Sequence, residues 1–340
     1  MEKRGIAAAL VTLCLISVII GIINTLNPTL KQDSTESNQS FQSVFSSSGN
    51  KIALISLVGP IASEQSSGIM SSDQFSAESV KRSIARATED NSVKGVLFAI
   101  NTPGGTVAMS QEIHAAVMRL RAKKPVVFAM SDVAASGGYY IACAGDRIFA
   151  EPGTLTGSIG VIFSTFNAQQ LFSEKLGIKS NVIKSGKFKD IGSMYRTMSP
   201  EEKSLLQDII NNSYQQFLGA ITEGRVNRND KYDTEKTPLT LTTLKQYADG
   251  RVFTGEQAKK LGFVDSLGGT YEADKAIQKM AKSKFHLKGG NLPVVSYNKS
   301  SGISDFLSSL SESLFSHKDS MSSLLPFSAK YNHTPLYMWE

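Results

Sequence analysis

Apolar and polar positions along the chain fall into blocks of different period. Residues 5–23 are apolar apart from Thr12, Ser17 and glycines, a run long enough to cross a bilayer as one helix. Residues 32–50 are rich in Ser, Asn and Gln and read as a flexible tether. From Lys51 the pattern becomes that of a packed α/β domain. A strand is predicted at 52–58, then an amphipathic helix at 77–88 with Val80, Ile84 and Ala87 on one face. Residues 93–100 form a buried strand, 110–122 a helix, and 126–130 a second buried, β-branched strand. A turn of small residues at 131–135 leads to Ser136-Gly137-Gly138, and 139–143 can continue as a helix. Strand, glycine-rich turn and helix thus occur twice in succession, which implies a largely parallel sheet with crossover helices.

The later elements are shorter. A strand is expected at 148–150, a small-residue turn at 151–160, a helix at 168–176 and a strand at 181–183. Ser199-Pro200-Glu201-Glu202 opens a helix running to about residue 224, and Thr254-Gly255-Glu256-Gln257 resembles a capping box for a helix to Leu261. A helix at 270–281 and a closing strand at 293–297 follow. Ile303, Phe306, Leu307, Leu310 and Leu314 have helical spacing, while 324–340 carries no readable pattern.

Charge and cysteine content narrow the setting. The 340 residues carry a net charge of +6, spread along the chain, which suits an anionic membrane surface and gives little support to nucleic-acid binding. Of the two cysteines, Cys14 lies in the apolar run and Cys143 just behind Ser136, so neither a disulfide nor a cysteine metal site is expected. Lys3 and Arg4 precede the apolar run and the next basic residue is Lys31, which places the N-terminus in the cytoplasm. No small-x-small cleavage site follows the run, and Cys14 sits too early in it for a lipoprotein. The expected layout is a cytoplasmic N-terminus (1–4), a signal anchor (5–23), a tether (24–50), an extracytoplasmic domain (51–297) and a tail with an amphipathic helix (298–340).

Candidate chemistry centres on Ser136. A serine at a strand-to-helix turn, among small neighbours, lets a carbonyl approach closely. The unpaired N–H groups of the helix start face developing negative charge, and Gly137 is placed as an oxyanion donor. A tight turn around a buried serine is the competing reading. The turn Asn101-Thr102-Pro103-Gly104-Gly105-Thr106 ends a neighbouring strand, so Gly105 is a second candidate donor. It is not a P-loop, since no Gly-Lys-Ser/Thr follows. A nucleophilic serine needs a base. The four histidines, His114, His286, His317 and His333, lie in no glycine-rich turn, and surface or cap roles fit them. No His/Asp/Glu cluster has metal spacing. The remaining candidates are Lys184, Lys187 and Lys189, in a loop that in isolation reads as a solvated lysine cluster.

Taken together, five segments resemble the signal peptide peptidase A family of membrane-anchored bacterial serine proteases, in its short single-unit form. They are Asn101-Thr102-Pro103-Gly104-Gly105; Ala134-Ala135-Ser136-Gly137-Gly138-Tyr139-Tyr140; Leu155-Thr156-Gly157-Ser158-Ile159-Gly160-Val161; Lys184-Ser185-Gly186-Lys187-Phe188-Lys189-Asp190; and Gly250-Arg251-Val252-Phe253-Thr254-Gly255. The resemblance spans about 52–268. It implies a crotonase/ClpP-like βαβ superhelix behind one transmembrane helix, and a Ser/Lys dyad. Ser136 matches the nucleophile and Lys189 the general base, with Lys187 and Lys184 as fallbacks. Ser158 matches a lysine-orienting residue, and Gly105 and Gly137 match the oxyanion donors. It further implies sites shared between neighbouring subunits of a homo-oligomer, an octamer being expected. The substrates would be remnant signal peptides and other apolar peptides, with no cofactor. Two other classes remain open at this point: a crotonase-like acyl-CoA enzyme, against which the anchor argues, and a catalytically inactive membrane scaffold.

Overall fold

The computed structural model of the chain describes residues 49–63, 76–227 and 239–298, with the backbone of 336–338. The chain divides into units 1–49 and 50–340, and the second carries the sheet. The apolar run, nearly all of the tether and the helically spaced apolar positions of the tail lie outside the described residues. Among the described residues no helix is long and apolar enough to cross a membrane.

The centre of the sheet is three parallel strands, β1 (Lys51–Val58), β2 (Val93–Thr102) and β4 (Val126–Ala135). Their apolar runs are nearly continuous because both faces are covered. Alternate residues point to opposite faces. Ala53, Phe98 and Phe128 face the main core with α1 (Ala77–Glu89) and α2 (Val107–Lys123). Ile52, Leu97 and Val127 face the helix α7 (Thr270–Phe285) on the other side. Phe98 and Phe128 stack at 4.6 Å across neighbouring strands.

The site-bearing end is built by a fork. The first half of β4 pairs with β5 (Arg147–Ala150), which pairs with β8 (Ser266–Leu267). The second half pairs with β6 (Leu155–Gly157), which runs antiparallel to β7 (Val252–Thr254). Beside it lie the short strand β3 (Gly104–Thr106) and the helix α3 (Gly137–Ala142). The sheet closes on its far side with β9 (Val294–Ser296), parallel to β1. The helices α4 (Pro200–Ile221) and α6 (Gly255–Leu261) both open on complete capping boxes, Ser199 with Glu202 and Thr254 with Gln257. A shorter helix, α5 (Leu241–Tyr247), lies between them.

Several expectations change. The strand expected at 126–130 runs on to Ala135, because β6 offers its second half a partner, and the turn expected at 151–160 supplies that strand. The helix expected at 110–122 begins at Val107, straight out of β3. The helix expected at 168–176 is a single π-type turn, Leu171–Lys175. Residues 181–183 form no strand: they have no neighbouring edge, and Val182 and Ile183 stand exposed. Residues 336–338, in a stretch without a readable pattern, form a strand, β10 (Leu336–Met338).

Beneath α3 lies a fully buried ion pair. Arg225 Nη1 and Nη2 donate to Asp265 Oδ2 and Oδ1 at 2.9 and 2.7 Å, and Asp265 Oδ2 also accepts from the Ile148 N–H at 2.7 Å. Burial disfavours charge on Arg225, but Asp265 more than offsets this and holds its pKa above the usual arginine range. Removing one partner strands the other charge in the core. Asp265→Asn is therefore expected to cost about 3–5 kcal/mol, read as a lowered midpoint in urea unfolding.

Candidate active site

Ser136 stands where β4 ends and α3 begins. It caps α3, and Gly137 follows as the first helical residue. Its backbone is held at φ 52° and ψ −114°, in the left-handed half of conformational space that disfavours a side chain. Two hydrogen bonds fix it there: the Ser136 N–H donates to the Gly157 carbonyl at 2.8 Å, and the Tyr140 N–H donates to the Ser136 carbonyl at 2.8 Å. The residue is 1% exposed, and Oγ has no hydrogen-bond partner among the described residues. Such a hydroxyl is costly to bury.

The surroundings lock this geometry. Tyr139, in the first turn of α3, donates its hydroxyl to the Phe263 carbonyl at 2.9 Å. At the other end of α3, Gly224 lies so close that an added Cβ would sit 2.1 Å from the Cys143 carbonyl oxygen. Cys143 is a buried free thiol, its pKa pushed up to about 12 by burial, so it is no competing nucleophile.

Two further candidate residues lie nearby. Ala135 and Gly157 are paired across β4 and β6, so Ser136 and Ser158 are the next residues on adjacent strands. Ser158 is also left-handed, at φ 49°, and its N–H donates to the Arg251 carbonyl at 2.8 Å. Gly105 lies in β3, against which α3 packs. A Cβ at Gly105 would lie 1.9 Å from the Ile61 carbonyl oxygen, so the position accepts only glycine. On its other side β3 receives β10 antiparallel, with Tyr337 opposite Gly105. An extended segment thus lies along the glycine strand and against α3.

The lysine loop lies on the surface. Lys184, Lys187 and Lys189 are all exposed, and no bond joins any of them to Ser136. Two are tied to carboxylates: Lys184 Nζ to Asp190 at 2.5 Å, and Lys187 Nζ to Glu201. Lys189 Nζ has no carboxylate partner among the described residues. The structure therefore brings Ser136, Ser158, Gly105 and Gly137 to one end of the sheet and bonds none of the three lysines to Ser136. A web around Asp190, Arg196 and Glu202 anchors the loop. Its only traces in the sequence are the acidic residue following Lys189 and the capping glutamate.

His114 is not at the surface, as the sequence suggested, but 8% exposed and edge-on to Tyr140 at 5.0 Å. Burial, aided by Arg121, lowers its pKa to about 4. The unfolded chain takes up this proton near pH 6.5 and the folded one only near 4. Stability should therefore fall between those values by on the order of 3 kcal/mol. His114→Gln should remove that slope in unfolding curves recorded from pH 7 to 4. His286 ends α7 in a left-handed cap, and His317 and His333 lie outside the described residues. Among the described residues no group of His, Cys, Asp and Glu is placed to hold a metal.

The sequence model of Peptidase family S49 matches residues 118–285, and that of Clp protease matches 65–154. A Synechocystis sp. protein named "Putative protease" is 40% identical over 222 residues, covering 65% of this chain and 71% of its own. A Methanocaldococcus jannaschii protein of the same name is 37% identical, covering 68% and 71%. The "Putative signal peptide peptidase SppA" of Enterococcus faecium is 36% identical over 236 residues, covering 69% of this chain and 65% of its own. The chain belongs to peptidase family S49. This S49 chain is accordingly a protease with a ClpP-like α/β domain, and the acyl-CoA reading falls away. The match at 118–285 takes in Ser136, Ser158 and the lysine loop, while Gly105 lies within the Clp protease match.

Proposed function

We propose that this protease is a membrane-anchored serine endopeptidase in which Ser136 is the nucleophile and Lys189 the general base. The observation that carries the reading is Ser136 itself: a strained, buried serine with an unpartnered hydroxyl at the mouth of a helix, beside a glycine strand that takes an extended segment. A peptide substrate taking the place of β10 would be held there by main-chain bonds, antiparallel to β3.

In chemical terms, Lys189 Nζ in its neutral form takes the proton from Ser136 Oγ, and the oxygen attacks the scissile carbonyl. The oxyanion rests on the N–H groups of Gly105 and Gly137, each worth about 3 kcal/mol by comparison with other hydrolases. The lysine returns the proton to the leaving amine, and water releases the acyl group by the same base. Ser158 orients the lysine. The substrates are remnant signal peptides and other apolar segments, in keeping with the name of the Enterococcus relative. The apolar run 5–23 anchors the chain, with 51–297 as the extracytoplasmic peptidase domain.

Lys189 reaches a Ser136 of a neighbouring subunit rather than its own. Its exposure supports this, as do exposed Leu176, Ile178, Val182 and Ile183 on the same arm. The test is cleavage of an apolar fluorogenic peptide by the full chain in detergent. Lys189→Ala should be inactive, whereas Lys184→Ala and Lys187→Ala retain cleavage. Wild-type activity should climb above neutral pH, since a lysine base acts in its neutral form. Full activity of Lys189→Ala, or a bell centred near pH 6, overturns the assignment.

A further inference from the structure

Lys189 lies in a loop with no regular secondary structure, and a base must be held within a fraction of an ångström of its target. Burial does not hold it, since residues 179–187 are exposed. Backbone turns contribute three long bonds, of which the Lys189 N–H to the Gly186 carbonyl, at 3.2 Å, is one. The firm tie is made by Arg196. Its Nε donates to Asp190 Oδ2 at 2.9 Å, and Nη2 donates to Asp190 Oδ1 at 2.8 Å and to the Asp190 carbonyl at 3.2 Å. The other edge of the same guanidinium grips Glu202, with Nη1 to Oε2 at 2.8 Å and Nη2 to Oε1 at 2.5 Å.

Glu202 is a fixed point. It is 3% exposed, and its Oε2 accepts from the Ser199 N–H at 2.8 Å in the capping box of α4. One planar group thus joins the first turn of α4 to the residue directly after Lys189. Lys184 adds a single bond to Asp190 Oδ1 and another to the Lys187 carbonyl at 3.0 Å, which braces the loop from inside but reaches no helix. Arg196 and then Lys184 hold the Asp190 carboxyl well below the usual range. Arg196, with help from the Ser199 N–H, lowers Glu202 to about 2. Both carboxylates are thus charged at any pH at which the enzyme would act.

We propose that Arg196 is the positioning residue of the catalytic base, holding Lys189 in place through Asp190 by clamping the loop to the start of α4. The proposal rests on the reading of Lys189 as the base. It requires arginine in particular. A lysine keeps the charge but has no fork with which to bind two carboxylates at once.

The test uses the full chain in detergent and an apolar fluorogenic peptide, with kcat and KM determined for Arg196→Lys, Asp190→Asn, the double variant and Lys189→Ala. Arg196→Lys and Asp190→Asn are each expected to lower kcat by about 10- to 100-fold with KM within about twofold. The double variant should be no worse than the weaker single, since both cut one tie. A residue that merely stabilises the fold would give multiplying effects, lower unfolding temperatures and no split between kcat and KM. Wild-type kcat in Arg196→Lys, with Lys189→Ala inactive, overturns the positioning role alone. An active Lys189→Ala overturns the base assignment beneath it. Should Arg196→Lys not fold, Asp190→Asn still reads the tie, and wild-type kcat there refutes it equally.

Discussion

Replacing Ser136 with glycine is expected to abolish peptide cleavage and to make the protein more stable. Loss of the nucleophile should cost at least about ten-thousand-fold in kcat, as removal of a catalytic serine does in other hydrolases. The gain in stability has two sources. The backbone of Ser136 sits at φ 52° and ψ −114°, a conformation that costs a side-chain-bearing residue about 1–3 kcal/mol and glycine almost nothing. The hydroxyl is also buried without a partner, at a cost of about 1–3 kcal/mol. Glycine returns about 0.5–1 kcal/mol of this as extra freedom in the unfolded chain. The balance favours the variant, by on the order of 5 °C in Tm. Ser136→Ala keeps the backbone strain and loses only the unpaired hydroxyl, so it should be equally inactive and fall between glycine and wild type in Tm. Measured together, cleavage and Tm separate a catalytic serine from a packing serine. A packing serine would give an active variant that melts earlier. Activity in either variant would remove Ser136 from the mechanism, and a lower Tm in both would refute the claim that the site stores strain.

The parts of the fold legible in the sequence are those that local chemistry decides. β1 and β2 are apolar runs, α4 and α6 begin at capping boxes spelled out by Ser199–Glu202 and Thr254–Gln257, and Ser136 sits at a strand-to-helix junction. The parts not legible depend on partners distant in sequence. β6 is only three residues long and ends on a glycine, and it exists because the second half of β4 presents an edge. Residues 181–183 have the preference but no edge, and stay irregular. The left-handed backbone of Ser136 and Ser158 is imposed by bonds to Gly157 and Arg251, which no local pattern announces. His114 lies beside Ile113 on a helix face that read as ordinary, and it is buried because Tyr140 of α3 comes to meet it. The residues alone also left three lysines equivalent. In the structure they differ in their partners: Asp190 and Glu201 pair with Lys184 and Lys187, and Lys189 has no carboxylate partner among the described residues.

Mixing two inactive variants should restore cleavage if serine and lysine meet across a subunit boundary. Ser136→Ala subunits retain the lysine and Lys189→Ala subunits retain the serine. In a ring assembled from equal amounts of both, each boundary joins one serine position to one lysine position, because a head-to-tail interface presents a different surface from each partner. About one boundary in four then carries both intact residues, so activity should recover to about a quarter of wild type from two parents with essentially none. A companion mixture sharpens the arithmetic. Wild type assembled with an equal amount of the double variant keeps about half its activity when each site lies within one chain, and about a quarter when sites are shared. Both mixtures need proof of co-assembly, which two affinity tags captured in sequence provide. The physical case for the shared site is the contrast between its halves. Ser136 is buried where β4, β6 and α3 meet, its hydroxyl unpartnered among the described residues, whereas Lys189 lies in an exposed loop that follows exposed Val182 and Ile183 in the chain. Burying that arm against a second copy removes apolar surface from water and carries the lysine out of solvent in the same step. Assembly and activation are then one event, and a chain kept monomeric should be inactive however well it is folded. No recovery in co-assembled mixtures, or full activity in a monomer, would place the base within the same chain as Ser136.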